Sequence, residues 1–234
     1  MDVVLVPGFW LDASSWAEVT PPLVAAGHRV HPLTLPGTGS VGDDRSGIRL
    51  IDHVAAVVSV VDALGGPVVL VGHSGGGDIA HAVADARPES VGRVVYVDSG
   101  PLGPGESIND RLPVVGGEIP LPDWDEFPEA MTAGLTPRLR AEFRARAVPQ
   151  PARVASDPLR LTDDRRYDVP ITVICCEEPS ARLLERIEAG EDSMAELARV
   201  RDVEYVDLPT GHWPQFSRPA DLARVVLAAV ENAL

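Results

Sequence analysis

The sequence predicts an α/β fold of three layers, built on a mostly parallel sheet of about six strands. Three observations carry this. Short apolar runs alternate with longer segments whose apolar residues recur at helical spacing. Val68–Val71 is apolar throughout, and "VPITVICC" ending at Cys176 is apolar but for Thr172, as in a parallel strand covered on both faces. The alternation stops between Ser99 and Asp168, where Pro, Gly, Asp and Arg dominate. A stretch that long inside a compact domain predicts an inserted helical lid rather than a loop. The expected organisation is a core of residues 1–98 and 169–234, interrupted by a lid over 99–168.

The first strand spans Val3–Val6 and ends at Pro7-Gly8. "LDASSWAEVTPPLVAAG" follows with a capping Asp or Ser and a glycine stop at Gly27. Its internal Pro21-Pro22 pair predicts an early kink or a helix starting near those prolines. A second strand lies within His28–Pro36. Ile51, Val54, Val57, Val58, Val61 and Leu64 then mark one face of a long helix that ends at Gly65-Gly66. Next come a strand at Val68–Val71, a helix at Gly76–Ala86 and a strand at Arg93–Val97. The middle segment is read as strand-free, with one or two short helices in Glu129–Arg146 and a break at Pro137. After "VPITVICC", helices are expected at Ser180–Ala189 and Asp192–Val200, a last strand at Val203–Leu208, and a closing helix at Pro219–Asn232.

Composition narrows the function. The chain has 234 residues, enough for one well-buried core, with 45% hydrophobic and 24% charged residues. Its net charge of −15 repels phosphate backbones and disfavours nucleic acid as a partner. No apolar run approaches membrane-spanning length. The sequence enters a strand pattern at once, without a basic, apolar leader, so a cytoplasmic protein is expected. The two cysteines, Cys175 and Cys176, are adjacent within a strand and read as small core residues. No cluster has zinc-like spacing, and neither metal nor organic cofactor is expected.

The chemistry concentrates in "VVLVGHSGGGDIAHAVA", Val68–Ala84, where a strand meets a helix through Gly72-His73-Ser74-Gly75-Gly76. This is the setting of the G-x-S-x-G elbow, which lifts a nucleophilic serine above the strand ends. Gly76 permits close approach of helix to strand, and Gly75 offers an unobstructed N–H. A glycine-rich surface turn is the bland reading; the strand–turn–helix context favours the elbow. Among six histidines, His212 in "DLPTGHWPQFSRP" lies just past the last strand, where such folds gather functional groups. It is the expected base for Ser74. His73 is read as a packing residue, and His28, His31, His53 and His81 as exposed or helix-face residues.

With "VPGFW", "GHSGG", the middle insertion and "GHWPQFSRP", the chain resembles the alpha/beta-hydrolase superfamily over nearly its whole length. It looks most like the small bacterial esterases related to plant methylesterases and hydroxynitrile lyases, on a fold lacking its first two strands. The resemblance implies an oxyanion hole from the Gly75 and Phe9 N–H groups, although Pro7-Gly8 stands where His-Gly is usual. It also implies an acid for His212. Family members usually place it after the penultimate strand, where this chain has "CCEEPS", so Glu177 and Glu178 are alternatives. Some lipases and lactone hydrolases take it one strand earlier, where "RVVYVDSGP" offers Asp98, the favoured candidate. A turn-capping role is the structural alternative for that aspartate.

These readings point to hydrolysis of a small, largely apolar ester or lactone through an acyl-enzyme. Acyl transfer and amide hydrolysis are the nearest alternatives. A hydroxynitrile lyase is disfavoured because Trp213 stands where its lysine would follow the histidine, and a non-catalytic binder because Ser74 and His212 are both present. Trp10, Trp124, Phe127, Met131 and Trp213 are candidate pocket walls, with packing of the lid as the alternative for each. A monomer or homodimer is expected.

Overall fold

The computed structural model describes residues 1–233. Its centre is a six-stranded sheet whose neighbours are all parallel. The strands are β1 (Asp2–Val6), β2 (Arg29–Pro32), β3 (Val68–His73), β4 (Val91–Val97), β7 (Ile171–Cys175) and β8 (Val203–Asp207), in the order β2-β1-β3-β4-β7-β8. β1, β3 and β7 are buried along their whole length, which is why they lack alternation. Successive side chains point to opposite faces and so feed two cores. Val4, Val6 and Leu70 face α2 (Leu50–Leu64) and α3 (Gly75–Ala86). Val3, Leu5, Val69 and Val71 face Leu23 of α1 (Thr20–Ala25) and Leu222 and Val226 of α8 (Pro219–Glu231). These are the three layers expected.

Between β4 and β7 the chain forms a two-stranded antiparallel ribbon, β5 (Glu118–Ile119) with β6 (Gln150–Pro151), and the helices α4 (Pro137–Arg146) and α5 (Ala152–Ser156). The segment is therefore not strand-free, because a two-residue ladder leaves no periodicity to read. Pro137 opens α4 rather than breaking a helix, its fixed φ suiting the first turn. Trp10 ties this segment to the core: its indole N–H donates to the Ile119 carbonyl at 3.1 Å, and its own carbonyl accepts from Val148 at 3.0 Å. Arg45, its side chain 1% exposed, donates to the carbonyls of Ser40, Val41, Asp43 and Pro149.

After β7 come α6 (Ser180–Glu188), two short 3-10 turns at Asp192–Met194 and Leu197–Arg199, β8, α7 (Pro214–Ser217) and α8. The turns replace the helix expected over Asp192–Val200. Glu196 between them is drawn inward to His81 Nε2, Arg166 Nε and the Tyr167 hydroxyl, at 2.8–2.9 Å. His81, His53 and His28 are buried, not exposed. His53 and His81 do occupy helix faces, but inward ones. Both cysteines are free and buried, as expected of small core residues. Among the described residues no helix is long and apolar enough to cross a membrane.

Candidate active site

In an all-parallel sheet every strand ends at the same edge. Ligand sites of such folds lie beyond that edge, where the strand order reverses. Here the chain passes from β1 to β2 on one side and then to β3 on the other, so the reversal falls between β1 and β3. The residues just past those strands are Phe9 and Trp10, and Ser74. Past β4 stands Asp98, past β7 Glu177, and past β8 His212.

Ser74 forms the turn between β3 and α3 with φ 51° and ψ −130°. Trp10 (φ 65°) and Asp98 (φ 46°) are the other two non-glycine residues with positive φ among those described. Each such conformation costs about 1–3 kcal/mol and persists only where its surroundings enforce it. All three belong to this one site. The elbow's tightness explains its glycines. A Cβ on Gly76 would lie 2.5 Å from the Val6 carbonyl oxygen and 2.6 Å from that of Pro7, and one on Gly75 would meet the Phe9 ring at 2.8 Å. The Ser99 hydroxyl holds the turn by donating to the Ser74 carbonyl at 2.9 Å.

His212 Nε2 lies 2.9 Å from Ser74 Oγ, and its Nδ1 lies 2.6 Å from Asp98 Oδ2. The other Asp98 oxygen accepts from the backbone N–H groups of Cys176 and Glu177, both at 3.1 Å. Pairing of β4 with β7 places Asp98 beside those amides. Glu177 adds a second carboxylate, Oε2, 3.3 Å from the same Nδ1. Glu178 turns away to Arg186 at 2.8 Å.

The electrostatics follow from burial and proximity. Burial works to raise Asp98, but the hydrogen bond and charge of His212 and the Glu177 N–H outweigh it and hold the carboxyl at about 2. Burial likewise opposes charge on His212, yet the Asp98 and Glu177 carboxylates lift it to about 9. Glu177 is raised, by burial first and then by Asp98, against the pull of His212. Asp98, Glu177 and His212 offer ligand atoms within 4.8 Å of one another. His212 Nδ1 already shares a proton with Asp98 there, so a metal would have to displace the contact that orients the ring.

A cavity of about 270 Å³ opens at Ser74, walled by Phe9, Trp10, Ile108, Leu112, Phe127 and Met131. Gly75 lines it too, and as the first residue of α3 its N–H has no partner within the helix. A second cavity, of about 360 Å³, shares Asp98, Ser99 and His212 with the first and extends under Leu183, Met194 and Leu197. Of the expected wall residues, Trp10, Phe127 and Met131 stand at the first cavity. Trp124 and Trp213 do not line it. They pack edge-to-face at 5.8 Å, and Trp213, 1% exposed, meets Phe143 edge-to-face as well, at 5.4 Å. Their large apolar rings are used behind the wall, fixing the loop that carries His212.

Two residues of the site escaped the sequence reading. His73, read as mere packing, hydrogen-bonds the His212 backbone. Asp78 lines the first cavity; its signal was an acid inside the apolar run "GGGDIAHAVA".

Comparison with known proteins gives the family and the fold. The profile described as "Alpha/beta hydrolase family" matches residues 3–225. The chain is 37% identical over 112 residues to the 2-hydroxy-6-oxononadienedioate/2-hydroxy-6-oxononatrienedioate hydrolase 1 of Dechloromonas aromatica, a match covering 45% of this chain and 38% of that enzyme. It is 32% identical to a carbendazim hydrolyzing esterase of a Nocardioides species, covering 47% of this chain and 46% of the esterase. Each match thus spans less than half the relative's length. The fold superposes on a methylesterase from Arabidopsis with a TM-score of 0.76 at 21% identity, covering 99% of both chains.

Proposed function

The chain belongs to the alpha/beta hydrolase family, and from that premise we propose that it is a serine hydrolase cleaving a carboxylic ester or lactone of a small, largely apolar substrate. The observation that carries the proposal is the unbroken series Ser74 Oγ, His212 Nε2, His212 Nδ1, Asp98 Oδ2, with contacts of 2.9 and 2.6 Å at the reversal point of the sheet.

Ser74 attacks the carbonyl carbon as His212 Nε2 takes its proton, and Asp98 orients and stabilises the imidazolium. The Phe9 and Gly75 N–H groups receive the developing oxyanion. The tetrahedral intermediate collapses as His212 returns the proton to the leaving alkoxide. Water then repeats the sequence on the acyl-enzyme, releasing the acid and free Ser74. Apart from that water, each step uses groups of the chain itself. Residues 99–168 act as the lid, since Ile108, Leu112, Phe127 and Met131 supply walls over Ser74.

A fluorophosphonate probe tests the reading. The wild-type chain is expected to be labelled once, and Ser74→Ala to lose both labelling and turnover of an activated aryl ester, the latter about 10⁴-fold or more. Labelling that survives in Ser74→Ala, or turnover within a few fold of the parent, overturns it.

A further inference from the structure

Asp78 lies four residues beyond Ser74, in the first turn of α3, about 6 Å along the axis, and lines the same cavity. It is 5% exposed, and its Oδ1 is buried without a hydrogen-bond partner. The Ser74–His212–Asp98 series does not involve it. The nearby charge acting on it is Glu106, of the same sign. Phe9, Ile108 and Leu112 are among the apolar residues of that cavity, beside the polar Ser99 and Asn109. An acceptor left unpaired in such a place destabilises the fold, so a residue of this kind is explained by what enters the cavity.

Resting on the serine-hydrolase reading, we infer that Asp78 sets specificity by hydrogen-bonding an oxygen substituent, a hydroxyl or keto group, carried on the carbon skeleton of the ester or lactone. Burial, with Glu106 adding to it, pushes the carboxyl well above the usual carboxylate range, against the pull of the Leu102 backbone N–H. A neutral carboxyl both donates through its O–H and accepts through its carbonyl. That suits an uncharged oxygen group, and the remaining walls suit the hydrocarbon part. A site built to bond such a group discriminates against the analogue lacking it, because the buried partner is then left unpaired.

The test uses matched ester pairs, with a hydroxyl on the acyl chain or on the alcohol, each against its plain hydrocarbon counterpart. For at least one pair the wild type is expected to favour the hydroxylated member by about tenfold or more in kcat/KM. Asp78→Leu reverses that ratio, raising kcat/KM for the hydrocarbon ester and lowering it for the hydroxylated one. Asp78→Asn retains the preference, because its amide also donates and accepts. Three outcomes overturn the inference: no preference in the wild type, an unchanged ratio in Asp78→Leu, or a stronger preference for a primary ammonium at the same position. Fluorophosphonate labelling alongside separates the two readings. A labelled enzyme without oxygen preference sinks the role of Asp78 alone, whereas an unlabelled one sinks the serine-hydrolase assignment. Should Asp78→Leu fail to fold, Asp78→Ala reads the same ratio: loss of the preference there supports the inference, and an unchanged ratio overturns it.

Discussion

His73 Nε2 donates a 2.7 Å hydrogen bond to the backbone carbonyl of His212. The residue preceding Ser74 thus holds the loop that presents His212 to it. Burial first, and then the charge of His212, drop His73 to about 3, so its ring is neutral and carries one N–H. That N–H is committed to the His212 carbonyl, which leaves Nδ1 to accept from Gln215 Nε2 at 3.2 Å.

Removing this support should displace His212 while leaving the cavity intact. His73→Ala is expected to lower kcat about 10²-fold and to change KM only a few fold, as steady-state kinetics on an aryl ester would show. A KM effect as large as the kcat effect would place His73 outside this role.

The two carboxylates at His212 Nδ1 predict an unusual division of labour. In a triad with a single acid, replacing that aspartate by asparagine costs about 10⁴ in kcat. Here Glu177 stands 3.3 Å from the same nitrogen, so Asp98→Asn should lose less, and the loss should approach about 10⁴ only with Glu177→Gln added. Both carboxylates raise His212, to about 9. Turnover requires the neutral imidazole, so kcat/KM should rise with pH through that alkaline range. Glu177→Gln should move the rise to lower pH. An additive double variant, or a pH profile indifferent to Glu177, would refute the arrangement.

His53 makes stability depend on acid. Its Nε2 bonds the Pro36 carbonyl at 2.9 Å, Nδ1 has no partner, and burial lowers its pKa to about 4. Between that value and the ordinary histidine pKa near 6.5 the unfolded chain binds the proton and the folded chain does not. Stability therefore rises with pH across this window and falls on acidification. His73 adds the same sign over a wider range. Urea unfolding from pH 4 to 6.5 should show this slope, and His53→Gln, which keeps a donor for Pro36 but does not titrate, should flatten it.

Gly76→Ala tests the elbow's packing apart from its chemistry. The added methyl meets backbone oxygens of Val6 and Pro7, which move only with β1 itself. A loss of about 3 kcal/mol is expected, or a fall in Tm of roughly 6–12 °C. Unchanged calorimetric stability would contradict the contact.

The elbow was legible because its parts are contiguous: an apolar strand, glycines at fixed offsets and an apolar helix occupy Val68–Ala84. Such local patterns depend on backbone sterics within a few residues, and they also placed His212 just past the last strand. The acid facing His212 was not legible to that degree. Asp98 and Glu177 lie 79 residues apart in the hydrogen bond that joins them, and only the pairing of β4 with β7 makes them neighbours. The walls were equally opaque. Trp124, Phe127, Met131 and Trp213 are all large and apolar, and nothing in their spacing tells a ring facing the cavity from one packed behind it.

The sequence by itself determined the layered α/β architecture, the strand-to-helix turn at Ser74 and the strand end bearing His212, because periodicity and turn sterics act over short stretches of chain. Tertiary structure alone decided which carboxylates meet His212, which aromatics line the cavity, and that Asp78 shares that cavity with Ser74 while its Oδ1 is left unpaired. Those contacts depend on strand order and on the course of residues 99–168 over the sheet, and long-range pairing of this kind leaves no local signature in the residues that make it.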